Sequence, residues 1–271
     1  MRDDSAAATA AEVLACLDGR SQRPPFTANG PGLSEADAYR VTAELRRLRE
    51  ARGERPVGRK IGFTNRNIWA EYGVFQPIWG DIYDTTVTSI MPGATIRVSH
   101  LPEPRVEPEI VVGLVRDVEA AEGLDGVVRA VGWVAHGFEI VQSIFPGWRF
   151  SVADCVADGG LHGALYVGPR RSVSDGERKG LADALAGLTL ELSRNGQVMD
   201  RGAGANVLDG PLQALAHLVR VLAADPVNPP LRAGEIVTTG TLTRAFPIQA
   251  GESWATRIGG FDLPGLSVST A

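Results

Sequence analysis

The sequence predicts a mixed β-sheet that curls on itself, preceded by an N-terminal helical segment. Ala, Leu and Arg recur at helical spacing over residues 5–19 and 34–52. From about residue 56 the texture changes to short β-rich stretches broken by Gly and Pro. Those stretches fall in unequal groups with few helices between them, which argues against a regular βαβ repeat and for a curled sheet.

Taken in order, the first helix ends before the Pro/Gly-rich stretch 21–32, which reads as a loop, and Ser34 followed by Glu35 marks the start of the second. Strands are expected over 57–63, 94–98, 105–115, 131–142, 162–168, 187–193, 235–240, 253–258 and 264–269. Helices are expected over 66–72, 122–129, 177–184 and 211–224, the last carrying Leu, Ala and Val at i, i+3 and i+4. The 271 residues therefore divide into a helical segment, 1–55, and a catalytic core, 56–271, within the roughly 250–300 residues one core sustains.

A hydrophobic share of 44% and a charged share of 22% belong to a globular enzyme rather than to a disordered chain. A net charge of −5 leaves no basic face to neutralise phosphates, so nucleic acid is not an expected partner. No apolar run reaches the 18 or so residues of a membrane helix, and the N-terminus lacks a basic start followed by an apolar core. No membrane partner and a cytoplasmic location are expected. Cys16 and Cys155 stand far apart, outside any C-x-x-C spacing, and are expected to be buried thiols.

The chemistry concentrates in Arg105-Val106-Glu107-Pro108-Glu109-Ile110. Side chains alternate along a strand, so Glu107 and Glu109 share a face, where two close carboxylates repel unless a positive charge lies between them. A solvent-facing edge explains such a pair as well. The apolar run that follows points instead into a core, and Pro108 suits a rim or bulge position. Glu139 interrupts the apolar strand Val134–Val141 with no local charge partner, which is costly for a carboxylate unless it is paired or metal-bound. Three carboxylates suit Mg²⁺ or Mn²⁺, hard cations that prefer oxygen ligands. His136 should face away from Glu139 and reads as a satisfied core or interface histidine.

The blocks Gly58-Arg59-Lys60-Ile61-Gly62-Phe63-Thr64, Gly73-Val74-Phe75-Gln76-Pro77, Val106-Glu107-Pro108-Glu109-Ile110 and Phe138-Glu139-Ile140-Val141 occur in an order that resembles the 2-oxopent-4-enoate hydratase and 4-oxalocrotonate decarboxylase family. That family belongs to the fumarylacetoacetate hydrolase superfamily. Gly202–Leu208, Gly234–Thr243 and Pro264–Val268 extend the likeness, which runs from about residue 30 to the end. The resemblance implies an α+β fold, a curled mixed sheet forming a partly open barrel with helices around it, in homo-oligomers. It implies that Glu107, Glu109 and Glu139 ligate the metal and that Lys60 is the cation beside a small 2-oxo acid substrate. The activity implied is a lyase reaction through an enolate: hydration of a 2-hydroxydienoic acid first, decarboxylation of a vinylogous 2-oxo diacid as the alternative. Carbon–carbon hydrolysis of an acylpyruvate needs a His–Glu pair that the sequence does not display near the N-terminal side of the metal block. A non-catalytic partner subunit, associating with a sister enzyme of the pathway, is a reading from another class.

Further residues are candidates for substrate binding. Gly62 leaves room for a ligand near the backbone, and Thr64 with Asn65 reads as the cap of helix 66–72, whose N–H groups could receive a carboxylate; helix stability alone explains that cap too. Thr239, Gly240 and Thr241 could line the pocket after a strand, or form an ordinary turn. For an isolated Lys60, a surface ion pair is the alternative role. The family pattern leads us to expect an acid at Ile78, and Asp81, Asp84 or Glu71 could stand in for it. Small polar residues are expected where Leu161 and His162 stand, so His162 is either a pocket residue that alters specificity or a strand-start histidine without a role.

Overall fold

In the computed structural model, residues 3–28 and 32–271 are described; the loop 21–32 therefore lies partly outside the described residues. The chain opens with helices α1 (Asp3–Gly19) and α2 (Glu35–Ala51), and Ser34 caps α2 by accepting the Asp37 N–H. Strand β1 (Pro56–Gly62) follows, then the single turn α3 (Trp69–Tyr72), β2 (Ile78–Tyr83), β3 (Val87–Ser89), β4 (Ala94–Ile96) and β5 (Arg105–Leu114). Next come α4 (Gly123–Ala130), β6 (Val131–Val141), α5 (Val152–Ala157), β7 (His162–Val167), β8 (Arg171–Ser172), α6 (Asp175–Arg178) and α7 (Leu181–Gly187). The chain closes with β9 (Thr189–Arg194), β10 (Gln197–Ala203), α8 (Pro211–Ala223), β11 (Ile236–Thr241), β12 (Phe246–Pro247), β13 (Ser253–Gly259) and β14 (Ser267–Thr270).

The strands form two mixed sheets. The larger runs β2-β1-β11-β5-β6-β7-β3, with β12 beside β5 and β8 beside β6; the smaller runs β10-β9-β13-β14-β4. Most of the apolar interior joins the two sheets to α4, α7 and α8 through Ile110, Phe138, Leu190, Leu215 and Trp254. A second apolar cluster gathers α1, α2 and α5 around Phe63, Ile78, Val141 and Leu161. Both cysteines are free and buried, as their isolation in sequence implied. No helix among the described residues is long and apolar enough to cross a membrane.

Five strands escaped the pattern reading: β3, β8 and β12 are only two or three residues long, and β2 and β10 are the substantial ones. β2 is buried along its whole length, so it shows no alternation, and its Gly80 and Asp81 disguise it further. β10 returns on β9 through Asn195-Gly196, both with left-handed φ, a two-residue hairpin turn whose Asn-Gly signature stands in the sequence. The helix expected over 66–72 is a 3₁₀ turn, Arg66–Ile68, followed by α3, and the one expected over 177–184 is split into α6 and α7 at Gly180.

Candidate active site

β5 lies between β11 and β6, with β1 beyond β11. Its alternation puts Arg105, Glu107, Glu109 and Val111 on one face, and Glu107 pairs directly with Glu139 across to β6. One carboxylate oxygen from each of Glu107, Glu109 and Glu139 lies within 4.8 Å of the others. Glu109 and Glu139 are buried, Glu107 half-buried.

Each buried carboxylate has one oxygen anchored and one left over. Glu109 Oε2 accepts the Gly240 N–H at 2.7 Å, while Oε1 has no hydrogen-bond partner. Glu139 Oε1 is 2.8 Å from His162 Nδ1, while Oε2 is likewise without a hydrogen-bond partner. Lys60 Nζ approaches that second oxygen to only 3.4 Å. Buried carboxylate oxygens without donors are costly, and the three carboxylates gathered here make an oxygen donor set that fits a hard divalent cation.

The electrostatics follow from that crowding. Burial pushes the Glu109 carboxyl well up, and Glu139 and Glu107 push it further. Burial and Glu139 raise Glu107 to about 7 against the pull of Lys60. Burial alone would raise Glu139, but Lys60 and His162 reverse it and hold it below the usual carboxylate range. Burial pulls the Lys60 ammonium down, and Glu139, Glu107 and Glu109 more than restore it. Cation binding at the centre therefore competes with protonation of Glu107 and Glu109.

Beside the cluster is a cavity of about 20 Å³, lined by Lys60, Gly62, Tyr72, Glu107, Trp148 and Leu161 among others. That is room for about one water molecule. Gly160, with φ +73, lies so close to the Lys60 stem that a Cβ there would meet Lys60 Cδ at 2.9 Å. Arg105 ties two of the lining residues together: it donates to the Tyr72 hydroxyl at 2.7 Å and stacks 4.5 Å over Trp148.

The structure brings Lys60, Gly62, Glu107, Glu109 and Glu139 together, sets His162 and Gly240 against the carboxylates from outside, and places Thr64, Ile78, Thr239 and Thr241 away from them. Thr64 does not cap a helix: its hydroxyl donates to the Thr239 carbonyl, Asn65 caps the 3₁₀ turn, and the Asn67 N–H is thereby taken. Thr239, Gly240 and Thr241 lie inside β11 rather than after it. The Thr239 and Thr241 hydroxyls are spent on the Ile110 and Thr243 carbonyls, so of this trio only the Gly240 N–H reaches the cluster. Ile78 is 2% exposed and packs in the apolar cluster behind the cavity. None of its proposed stand-ins is free: Asp81 pairs with Arg46 and Arg59, Asp84 with Arg55, and Glu71 with Arg244. His136 faces away from Glu139; its Nδ1 donates to the Glu109 carbonyl, so its Nε2 accepts from Thr256, and burial lowers its pKa to about 4. Tyr72 and Trp148 were not singled out in the sequence, where nothing links α3 to the turn at Pro146–Trp148. Leu161 was visible only as a departure from the family pattern.

A family model, fumarylacetoacetate (FAA) hydrolase C-terminal, matches residues 79–263. The chain is 33% identical over 229 residues to a 2-hydroxyhexa-2,4-dienoate hydratase of Comamonas testosteroni, covering 84% of each protein. It is 32% identical over 232 residues to a 4-oxalocrotonate decarboxylase of Pseudomonas putida, covering 85% of this chain and 84% of that protein. Among solved structures, the 4-oxalocrotonate decarboxylase of Pseudomonas putida G7, complexed with magnesium and adipate, superposes with a TM-score of 0.88 at 30% identity, covering 100% of this chain and 99% of that one.

Proposed function

The chain belongs to the fumarylacetoacetate hydrolase family, and from that membership we propose that it is a divalent-metal-dependent lyase carrying a small 2-oxo or 2-hydroxydienoic acid through an enolate, as a 2-oxopent-4-enoate hydratase-like enzyme. The observation that carries the reading is the pair of donorless oxygens, Glu109 Oε1 and Glu139 Oε2, buried beside Glu107. Glu107, Glu109 and Glu139 would hold Mg²⁺ or Mn²⁺, which when bound would supply the electrophile that stabilises the enolate charge of a 2-oxo acid.

This chain's residues do the rest. Lys60 lines the cavity with Glu107 and is the donor available to a substrate carboxylate or to the carbon that gains a proton. Gly62 leaves the wall open beside it, and Tyr72 with Trp148 keeps bulk water from the reacting carbons. A homo-oligomeric, cytoplasmic enzyme, with a sister enzyme as possible partner, belongs to the same reading and rests on the family likeness alone.

Ile78 favours decarboxylation as a second reading. It offers no hydrogen bond to an attacking water, and Asp81, Asp84 and Glu71 are tied to arginines. Loss of CO₂ needs the same electron sink and no activated water. Acylpyruvate hydrolysis gains nothing from the His162–Glu139 pair, because His162 Nε2 is engaged by Thr86 at 2.9 Å instead of facing the cavity. NMR of the products from a 2-hydroxydienoate and from a 2-oxo diacid separates the readings: CO₂ release without any hydroxylated product would overturn the hydratase.

A further inference from the structure

His162 opens β7, and its place depends on a register shift. β6 and β7 pair regularly from Gly137↔Val167 to Ile140↔Ala164, then slip so that Val141 faces His162. Without that slip Gly163 would stand opposite Val141, and the His162 side chain would point to the other side of the sheet. The slip turns it onto the face that carries Glu139.

There the ring is held at both ends. Nδ1 lies 2.8 Å from Glu139 Oε1 and Nε2 lies 2.9 Å from Thr86 Oγ1. A carboxylate only accepts, so Nδ1 carries the proton and donates. The Thr86 hydroxyl is itself fixed against the Tyr83 backbone, 3.0 Å from the Tyr83 carbonyl. Behind the ring lies a groove of about 550 Å³ lined by Thr86, Gln142 and Tyr166, with none of the acidic cluster in its wall. His162 thus separates the carboxylates from that groove rather than lining the cavity with Lys60.

Glu139 has two suitors. Its Oε2 already forms a loose buried ion pair with Lys60 Nζ at 3.4 Å, and a carboxylate free to rotate would turn both oxygens to the ammonium and tighten that pair. Pinning Oε1 opposes that rotation and leaves Oε2 without a hydrogen bond beside the other two carboxylates.

We propose that His162 is a positioning residue, which holds Glu139 in its metal-ligating orientation against capture by Lys60, with Thr86 locking the ring from behind. The inference rests on the metal-dependent reading above and assigns a role at a position where the family pattern led us to expect a small polar residue. Outer hydrogen-bond partners of ligating groups typically change metal affinity by about 10–100-fold.

The test is Mn²⁺ titration of the purified full chain, with free Mn²⁺ read by electron paramagnetic resonance and folding checked by circular dichroism. His162→Phe, which keeps a ring without the donor, should weaken Mn²⁺ by roughly 10–100-fold. His162→Asn, which restores a donor, should recover part of that loss, and Thr86→Val should give a smaller loss. Unchanged affinity in His162→Phe, or equal losses in His162→Phe and His162→Asn, overturns the proposal. Should His162→Phe not fold, Thr86→Val carries the test, and unchanged affinity there overturns it. A wild-type chain that binds no Mn²⁺ overturns the metal-dependent reading itself, a result distinct from variants that bind as the wild type does.

Discussion

The Gly240 N–H donates to Glu109 Oε2 at 2.7 Å, from a residue whose φ of +103 and closeness to Thr64 leave no room for a side chain. A Cβ at residue 240 would meet Thr64 Oγ1 at 1.7 Å. Gly240→Ala should therefore cost about 1–3 kcal/mol in backbone strain, more with the clash, and weaken Mn²⁺ binding by moving Glu109. Thermal unfolding and Mn²⁺ titration check both; a variant with unchanged melting and affinity contradicts the account.

Cation binding should stabilise the fold. At a Mg²⁺ or Mn²⁺ concentration 100 times Kd, linkage gives about 2.7 kcal/mol, a rise in melting temperature of several degrees. Glu109→Gln, which removes a ligand charge yet keeps its shape, should abolish most of that rise. Retention of the full rise, measured by calorimetry, would remove Glu109 from the ligand set.

Acidity at Glu107 makes a prediction with a definite sign. Its carboxyl is raised from an ordinary 4.5 to about 7, so the folded metal-free chain keeps a proton there that the unfolded chain has released. The stability this group contributes is complete below about pH 4.5 and is lost as pH rises through about 7. Metal-free protein should melt progressively lower across that window. Metal affinity should climb by up to about tenfold per pH unit through that window. A metal-free melting temperature that rises over the same window would count against the raised pKa.

Installing an acid at Ile78 tests the choice between hydration and decarboxylation. Ile78→Asp should raise water addition by about 10²-fold, the lower end of what a positioned acid or base supplies, and affect decarboxylation less. Product ratios by NMR decide. Efficient water addition by the wild type would show that no acid is needed there.

Asp81, read from sequence as a possible stand-in acid, should prove structural. It is shared by Arg46 and Arg59, with its side chain 2% exposed. Asp81→Ala leaves two buried guanidinium groups without their shared carboxylate and should destabilise by about 3–5 kcal/mol. Denaturant unfolding measures it; a change below about 1 kcal/mol would place the arginines' compensation elsewhere.

What could be read from the chain alone was what repeats locally. The Glu107 and Glu109 alternation on β5, the helical spacing of α2 and α8, and the uncompensated charge of Glu139 each declare themselves within a few residues. Membership of the family was legible from the order of its motifs. Features that depend on pairing were not. The register slip that swings His162 onto Glu139 has no sequence period, and the all-buried β2 carries none of the alternation that betrays a half-buried strand. The Thr64 hydroxyl looked like a helix cap because nothing nearby shows that Thr239, 175 residues later, supplies a carbonyl. The hairpin at Asn195-Gly196, by contrast, carries its signature in the sequence.

The helices α1 and α2 hold Val13, Val41 and Leu45 in the same apolar cluster as Phe63, Ile78, Val141 and Leu161, three of which also form the cavity wall. The outline of the chamber is thus set partly by a segment that contributes no chemistry. Swapping this pair of helices between relatives, with every ligand untouched, is a route by which selection or an engineer could retune what the enzyme accepts.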